Sequence, residues 1–110
     1  MAAARGPGRG SGQVRRLVEL ATVDCYNDAE AVTGFLTMLD ERLQLPFTTI
    51  VLGVPVRVTR VDLNDDDRIV AICTAGRDRQ AVALLDLPLP DPPPVGAEWI
   101  AAYRYWATGR

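Results

Sequence analysis

A chain of 110 residues with 48% apolar and 24% charged side chains has the composition of one small globular domain with a modest core. Its 12 basic residues are all Arg, 14 residues are acidic, and the net charge of −2 argues against a nucleic-acid binder, which carries a basic excess. The absence of His removes the usual near-neutral acid–base catalyst and the commonest transition-metal ligand.

Residues 1–12 read as a flexible tail ahead of a single domain at 13–110. Gly6, Gly8, Gly10 and Gly12 surround Pro7, Arg9 and Ser11, and the stretch has too few apolar groups to offset the entropy of ordering. It has no apolar h-region, so it does not read as a signal peptide. Gln13–Thr22 carries Val14, Leu17, Val18 and Ala21 at helical spacing, which predicts a short amphipathic helix. A second helix is better marked. Asn27 is a good N-cap, and Glu30 stands three residues later as in a capping box. Val32, Phe35, Leu36, Leu39 and Leu43 give its apolar stripe, and Pro46 ends it.

From Phe47 the period changes to two. Phe47–Leu52 is β-rich, Gly53 breaks it, and Val54, Val56 and Val58 alternate with other residues. Pro55 points to an edge position or a strand start. The alternation then slips to Val61 and Leu63, which predicts a bulge near Thr59–Arg60. Asn64–Asp67 is a turn, Arg68–Cys73 a strand, Gly76–Asp78 a second turn and Gln80–Asp86 another strand. The prolines of Leu87–Pro94 require an extended segment, and a last helix is expected over Ala97–Ala107. Its Trp99, Ala102, Tyr103 and Trp106 share one face, the mark of a core stripe. The expected fold class is α+β. It has a small bent antiparallel sheet or SH3-like barrel of about four to five strands, two N-terminal helices and one C-terminal helix.

Nucleophilic catalysis finds no support, because no Ser, Thr or Cys has a His or Lys to activate it. The expectation is a protein that is not an enzyme. Cys25 and Cys73 form neither a C-x-x-C pair nor a zinc spacing, and are expected as small buried hydrophobes in a reduced cytoplasm. No apolar stretch has membrane-spanning length.

The carboxylates are the remaining chemistry, in three groups. Asp24, Asp28 and Glu30 surround the start of the second helix, where acids complement the helix dipole. Asp40 and Glu41 stand near its end, where acids oppose the dipole and helix stability does not explain them. Glu30 and Glu41 share a helix face but lie about 16 Å apart along the axis, too far to share one ion. The third group begins like an EF-hand loop, with Asp62, Asn64 and Asp66 alternating, and adds Asp65 and Asp67. The match fails at Asp67, where the sharp-turn Gly belongs, and at Cys73, where the bidentate Glu belongs, so a plain hairpin turn reads better. Calcium suits this inventory, being a hard ion that takes oxygen ligands without His or Cys.

Val23-Asp24-Cys25-Tyr26-Asn27-Asp28-Ala29-Glu30, then Gly34-Phe35, then Leu39-Asp40-Glu41-Arg42-Leu43-Gln44-Leu45-Pro46-Phe47 resembles the CcbP-type family of cyanobacterial calcium-binding proteins. Glu98-Trp99 with Tyr103 and Trp106 is similar to that family's aromatic ending. The resemblance implies a calcium-binding domain that uses surface carboxylates and no EF-hand. It matches the family's acidic pair to Asp40 and Glu41 and its helix-start acid to Glu30.

Two functions follow as expectations. One is calcium buffering or sensing, with Asp40 and Glu41 supplying oxygens and Asp24, Asp28 or the Asp62–Asp67 group, with Asp62, Asp65 and Asp66 foremost, joining if the fold brings a loop near. The other is a metal-free protein-interaction module that presents a barrel surface or the proline-rich segment 87–94. No nucleic-acid or membrane partner is expected. Arg15, Arg16, Arg57, Arg60, Arg77 and Arg79 are candidates for a basic patch, but the sequence does not place them on one surface.

Overall fold

A computed structural model describes residues 5–109 of the chain, and the surroundings of side chains from Gly12 onward. The elements run α1 (Arg5–Thr22), α2 (Asp28–Arg42), β1 (Phe47–Val51), β2 (Val54–Leu63), β3 (Ile69–Ala75), β4 (Asp78–Ala83) and α3 (Ala97–Ala107). The two N-terminal helices and the C-terminal helix are as expected. The helix predicted from Gln13 begins instead at Arg5. Of the expected tail, residues 1–4 lie outside the described residues.

α2 forms for the reasons its sequence advertises. The Asn27 side chain accepts the Glu30 backbone N–H at 2.9 Å, which satisfies one orphan donor of the first turn, and Glu30 Oε1 accepts the N–H of Tyr26, the residue before the N-cap, at 2.9 Å. Ala31, Val32, Phe35 and Leu39 form its buried stripe. The helix stops at Leu43, whose extended backbone leads to Pro46.

The strands pair in the order β1-β2-β3-β4, all antiparallel. The SH3-like barrel is not formed. β1 and β4 remain the two open edges of a four-stranded sheet, so the open bent sheet is the correct alternative. A sheet needs one covered face to be stable, and here helices cover it, so closure is not required. The predicted bulge is present. Val58 pairs with Cys73 and Arg60 with Ile72, which leaves Thr59 as the extra residue. Pro55 sits at the start of β2, paired only with Ile50 of β1, where its missing N–H interrupts no ladder to β3.

The core lies between the helices and one sheet face. Val58 and Val61 of β2 and Ile69, Ala71 and Cys73 of β3 meet Phe35, Leu39, Ile100 and Tyr103 from the helices. Phe35, Tyr103 and Trp106 pack as an aromatic group with ring centroids 5.4–6.3 Å apart. Burying a side chain of this size is worth about 2 kcal/mol. α1 closes on α2 at Gly34, where a Cβ would stand 2.1 Å from the Ala21 carbonyl oxygen. Among the described residues no helix is long and apolar enough to cross a membrane.

The proline-rich segment is anchored rather than free along its first half. Leu87 is fully buried, the Pro88 carbonyl accepts the Thr49 hydroxyl at 2.7 Å, and Arg104 donates to the Leu84 and Leu87 carbonyls. Pro92 and Pro93 are exposed.

Candidate functional site

Each acidic group has a distinct setting. Asp40 and Glu41 are exposed on the last turn of α2, and neither carboxylate has a hydrogen-bond or ion-pair partner among the described residues. The end they occupy carries the negative pole of the helix dipole. Gly96, the N-cap of α3, abuts this end so closely that a Cβ there would lie 2.1 Å from the Arg42 carbonyl oxygen. The Gln44 N–H donates to the Val95 carbonyl at 2.8 Å and completes the junction. Glu98 is exposed in the first turn of α3, two residues beyond Gly96.

At the other end of α2 the carboxylates are partly committed. Glu30 is held by the Tyr26 N–H. Asp28 is exposed in the first helical turn, and Asp24 is exposed in the turn between α1 and α2 with φ of 64°. Asp62 is occupied locally, with Oδ2 3.1 Å from Arg60 Nη1 and Oδ1 accepting the Leu63 N–H. The Asn64–Arg68 turn is organised by its Asn. Asn64 Oδ1 accepts the N–H groups of Asp66 and Arg68 at 2.9 and 3.0 Å, and Asp67 adopts φ of 59°. Asp65, Asp66 and Asp67 are all exposed on it.

The fold brings two of these groups together. Asp28 and Asp66, with Asp67, line one open cleft of about 450 Å³ whose walls include Arg68, Tyr103 and Trp106. Asp40 and Glu41 are not part of this cleft, and Asp24, Glu30, Asp62 and Asp65 do not line it.

Oxygen donors of the right kind for a hard cation are therefore present at two places. Among the described residues, however, no three Asp, Glu or Cys side chains converge closely enough to hold a metal ion. Calcium takes about six to eight oxygens, so an ion held by this chain would keep much of its shell as water. Neither cysteine belongs to a metal site or a disulfide. Cys25 is half-buried, Cys73 is buried, and burial pushes the Cys73 thiol pKa up.

Three helices on one face of an open antiparallel sheet, with carboxylates displayed at the helix ends and turns, define a small two-layer α+β domain. Residues 15–107 match the model of the CcbP calcium-binding family, and the chain belongs to that family. Its fold is similar to the crystal structure of CcbP from Anabaena, with a TM-score of 0.62 and 20% identity over 97% of this chain and 95% of that one. No curated protein matches the sequence.

Proposed function

We propose that this chain binds calcium through surface carboxylates, without an EF-hand loop, and that the C-terminal end of α2 is where it does so. Asp40 and Glu41 are the first oxygen donors. The observation that carries this reading is the setting of the acidic pair. Both carboxylates are exposed and without protein partners at the negative pole of a helix, where acids cost the helix stability and a cation offsets that cost. Family membership supports calcium as the ion. The donors differ from an EF-hand in that they come from a helix end and not from one loop.

A second reading places the ion in the cleft of Asp28, Asp66 and Asp67, which has the merit of three carboxylates in one concavity. Two features weigh against it. The cleft faces the positive pole of α2, and the Arg68 side chain lines it.

Calorimetric titration of chelator-stripped protein tests both. Asp40→Asn/Glu41→Gln is expected to abolish calcium heat, while Asp28→Asn/Asp66→Asn/Asp67→Asn retains it. The reverse result moves the site to the cleft. Absence of heat and of any thermal shift at millimolar calcium in the unaltered chain removes the calcium reading, because a ligand specific to the native state must stabilise it.

A further inference from the structure

The sheet has a second face, and its composition is unlike the rest of the molecule. The face bearing Val58, Val61, Ile69, Ala71 and Cys73 is covered by the helices. The opposite face has the buried Val70 and the half-buried Ile72 along β3, and neither belongs to the core cluster under the helices. The shortest molecular dimension is 22 Å, the thickness of one sheet and one helix layer. On that open face Arg57 lies directly opposite Thr74, and Thr74 directly opposite Arg79. Side chains paired across strands share a face, so the two arginines flank Thr74 at a separation of about 10 Å, two strand spacings. Both are exposed, and neither has an ion-pair or side-chain hydrogen-bond partner among the described residues.

The bulge adds a third charge. Residues three apart in a regular strand point to opposite faces. Because Thr59 is the extra residue, Arg60 returns to the face of Arg57 while Val58 and Val61 both stay in the core. Asp62 sits two residues on and pairs with Arg60, which holds that guanidinium over the sheet. At the end of the same face, Ile50 pairs with Pro55, and Ile50 is 58% exposed.

We propose that this open face is a docking surface for an acidic, extended segment of a partner protein. Arg57 and Arg79 receive two of its carboxylates, and Ile50 with Pro55 takes an apolar side chain. Charge complementarity selects the occupant. Three arginines and one aspartate stand on one face of a protein whose net charge is −2, so the face is locally basic against an acidic background. Arg presents a planar fork that binds carboxylates in pairs of hydrogen bonds, and it is enriched where proteins meet. A nucleic acid fits less well, since the aromatic residues lie on the helical side or in the core. The face thus offers no ring for base stacking. The surface lies on the layer opposite Asp40 and Glu41, so it does not depend on the calcium reading.

The test uses the full chain in EGTA. A fluorescein-labelled peptide alternating Glu with Val is titrated by fluorescence anisotropy, beside its Gln-for-Glu counterpart and a short single-stranded oligo-dT. The Glu peptide is expected to bind, more weakly as salt rises, and the Gln peptide to fail. Arg57→Ala/Arg79→Ala is expected to weaken binding about tenfold or more, with circular dichroism confirming an unchanged fold. Arg57→Lys/Arg79→Lys should restore part of it, because charge returns without the fork. Arg15→Ala/Arg16→Ala, which removes the same charge from α1, should leave it unchanged. Any of three results overturns the proposal: no binding of the Glu peptide up to millimolar concentration, equal binding by the Arg57→Ala/Arg79→Ala protein, or tighter binding of oligo-dT than of the peptide. Sedimentation that shows a dimer abolished by the same two substitutions assigns the face to a second copy instead, and overturns it equally.

Discussion

The Tyr103 hydroxyl accepts the backbone N–H of Ile69 at 3.2 Å inside the core, which ties the last helix to the first residue of β3. That N–H belongs to a residue 1% exposed, so no water is at hand to replace the hydroxyl. Tyr103→Phe should therefore lower unfolding stability by about 1–3 kcal/mol, the cost of a buried donor left unpaired. Urea denaturation measures it, and an unchanged midpoint would show that the hydroxyl contributes nothing.

Gly34 makes the stronger prediction. A methyl group there would drive into the Ala21 carbonyl at 2.1 Å, and the obstacle is backbone, which cannot swing aside. Gly34→Ala is expected to destabilise by about 3 kcal/mol or more, although the same change in an exposed helix is favourable by about 1 kcal/mol. The thermal midpoint separates the two signs.

Arg104 closes the carbonyls of Leu84 and Leu87 where the chain leaves β4 for the proline-rich segment. Burial lowers its pKa, and the nearby Asp86 charge partly restores it. Arg104→Met keeps most of the stem but removes every donor. It should cost about 2–4 kcal/mol and raise hydrogen–deuterium exchange across residues 84–90 more than elsewhere.

Cys73 and Cys25 should differ in thiol chemistry. Cys25 is half-buried at the α1–α2 turn, whereas Cys73 is 3% exposed and its pKa is raised by burial. A thiol reagent should modify Cys25 first and reach Cys73 only through opening of the sheet. The pH dependence has one sign. Below about pH 8 the thiol is neutral whether folded or unfolded, and its full contribution to stability is present. As pH rises further the unfolded thiol ionises first, so stability falls until the folded value is passed. Cys73→Ala should flatten that alkaline decline in a series of urea titrations.

Calcium binding at Asp40 and Glu41 should be weak, with Kd of about 0.1–1 mM, because so few protein oxygens are fixed in place. At tenfold excess over Kd the native state should gain about 1.4 kcal/mol, visible as a thermal shift of several degrees. The shift should vanish in Asp40→Asn/Glu41→Gln, and magnesium should produce less of it.

Legibility in the sequence followed the range of the interactions. The Asn27 cap on Glu30 is local chemistry and was readable, although Glu30 returns to the Tyr26 N–H and not to that of Asn27 as a capping box requires. The bulge was readable because the valines change parity between Val58 and Val61. Closure into a barrel was not decidable from strand periodicity, since it depends on whether β1 reaches β4 across the whole sheet. Nor could the cleft be foreseen, because Asp28 and Asp67 meet only after the helices lie down on the sheet. The arginines were visible as a list, but their shared face required strand register.

The extra residue at Thr59 makes the parity of β2 a property under constraint. Deleting it would leave every hydrophobic and every charged residue in place along the chain while exchanging inside for outside over half the strand. Length changes in β2 should accordingly be tolerated by twos and not by ones. A deletion library spanning Val54–Leu63 would then recover folded molecules in a period-two series, a record of the sheet's two faces written in chain length alone.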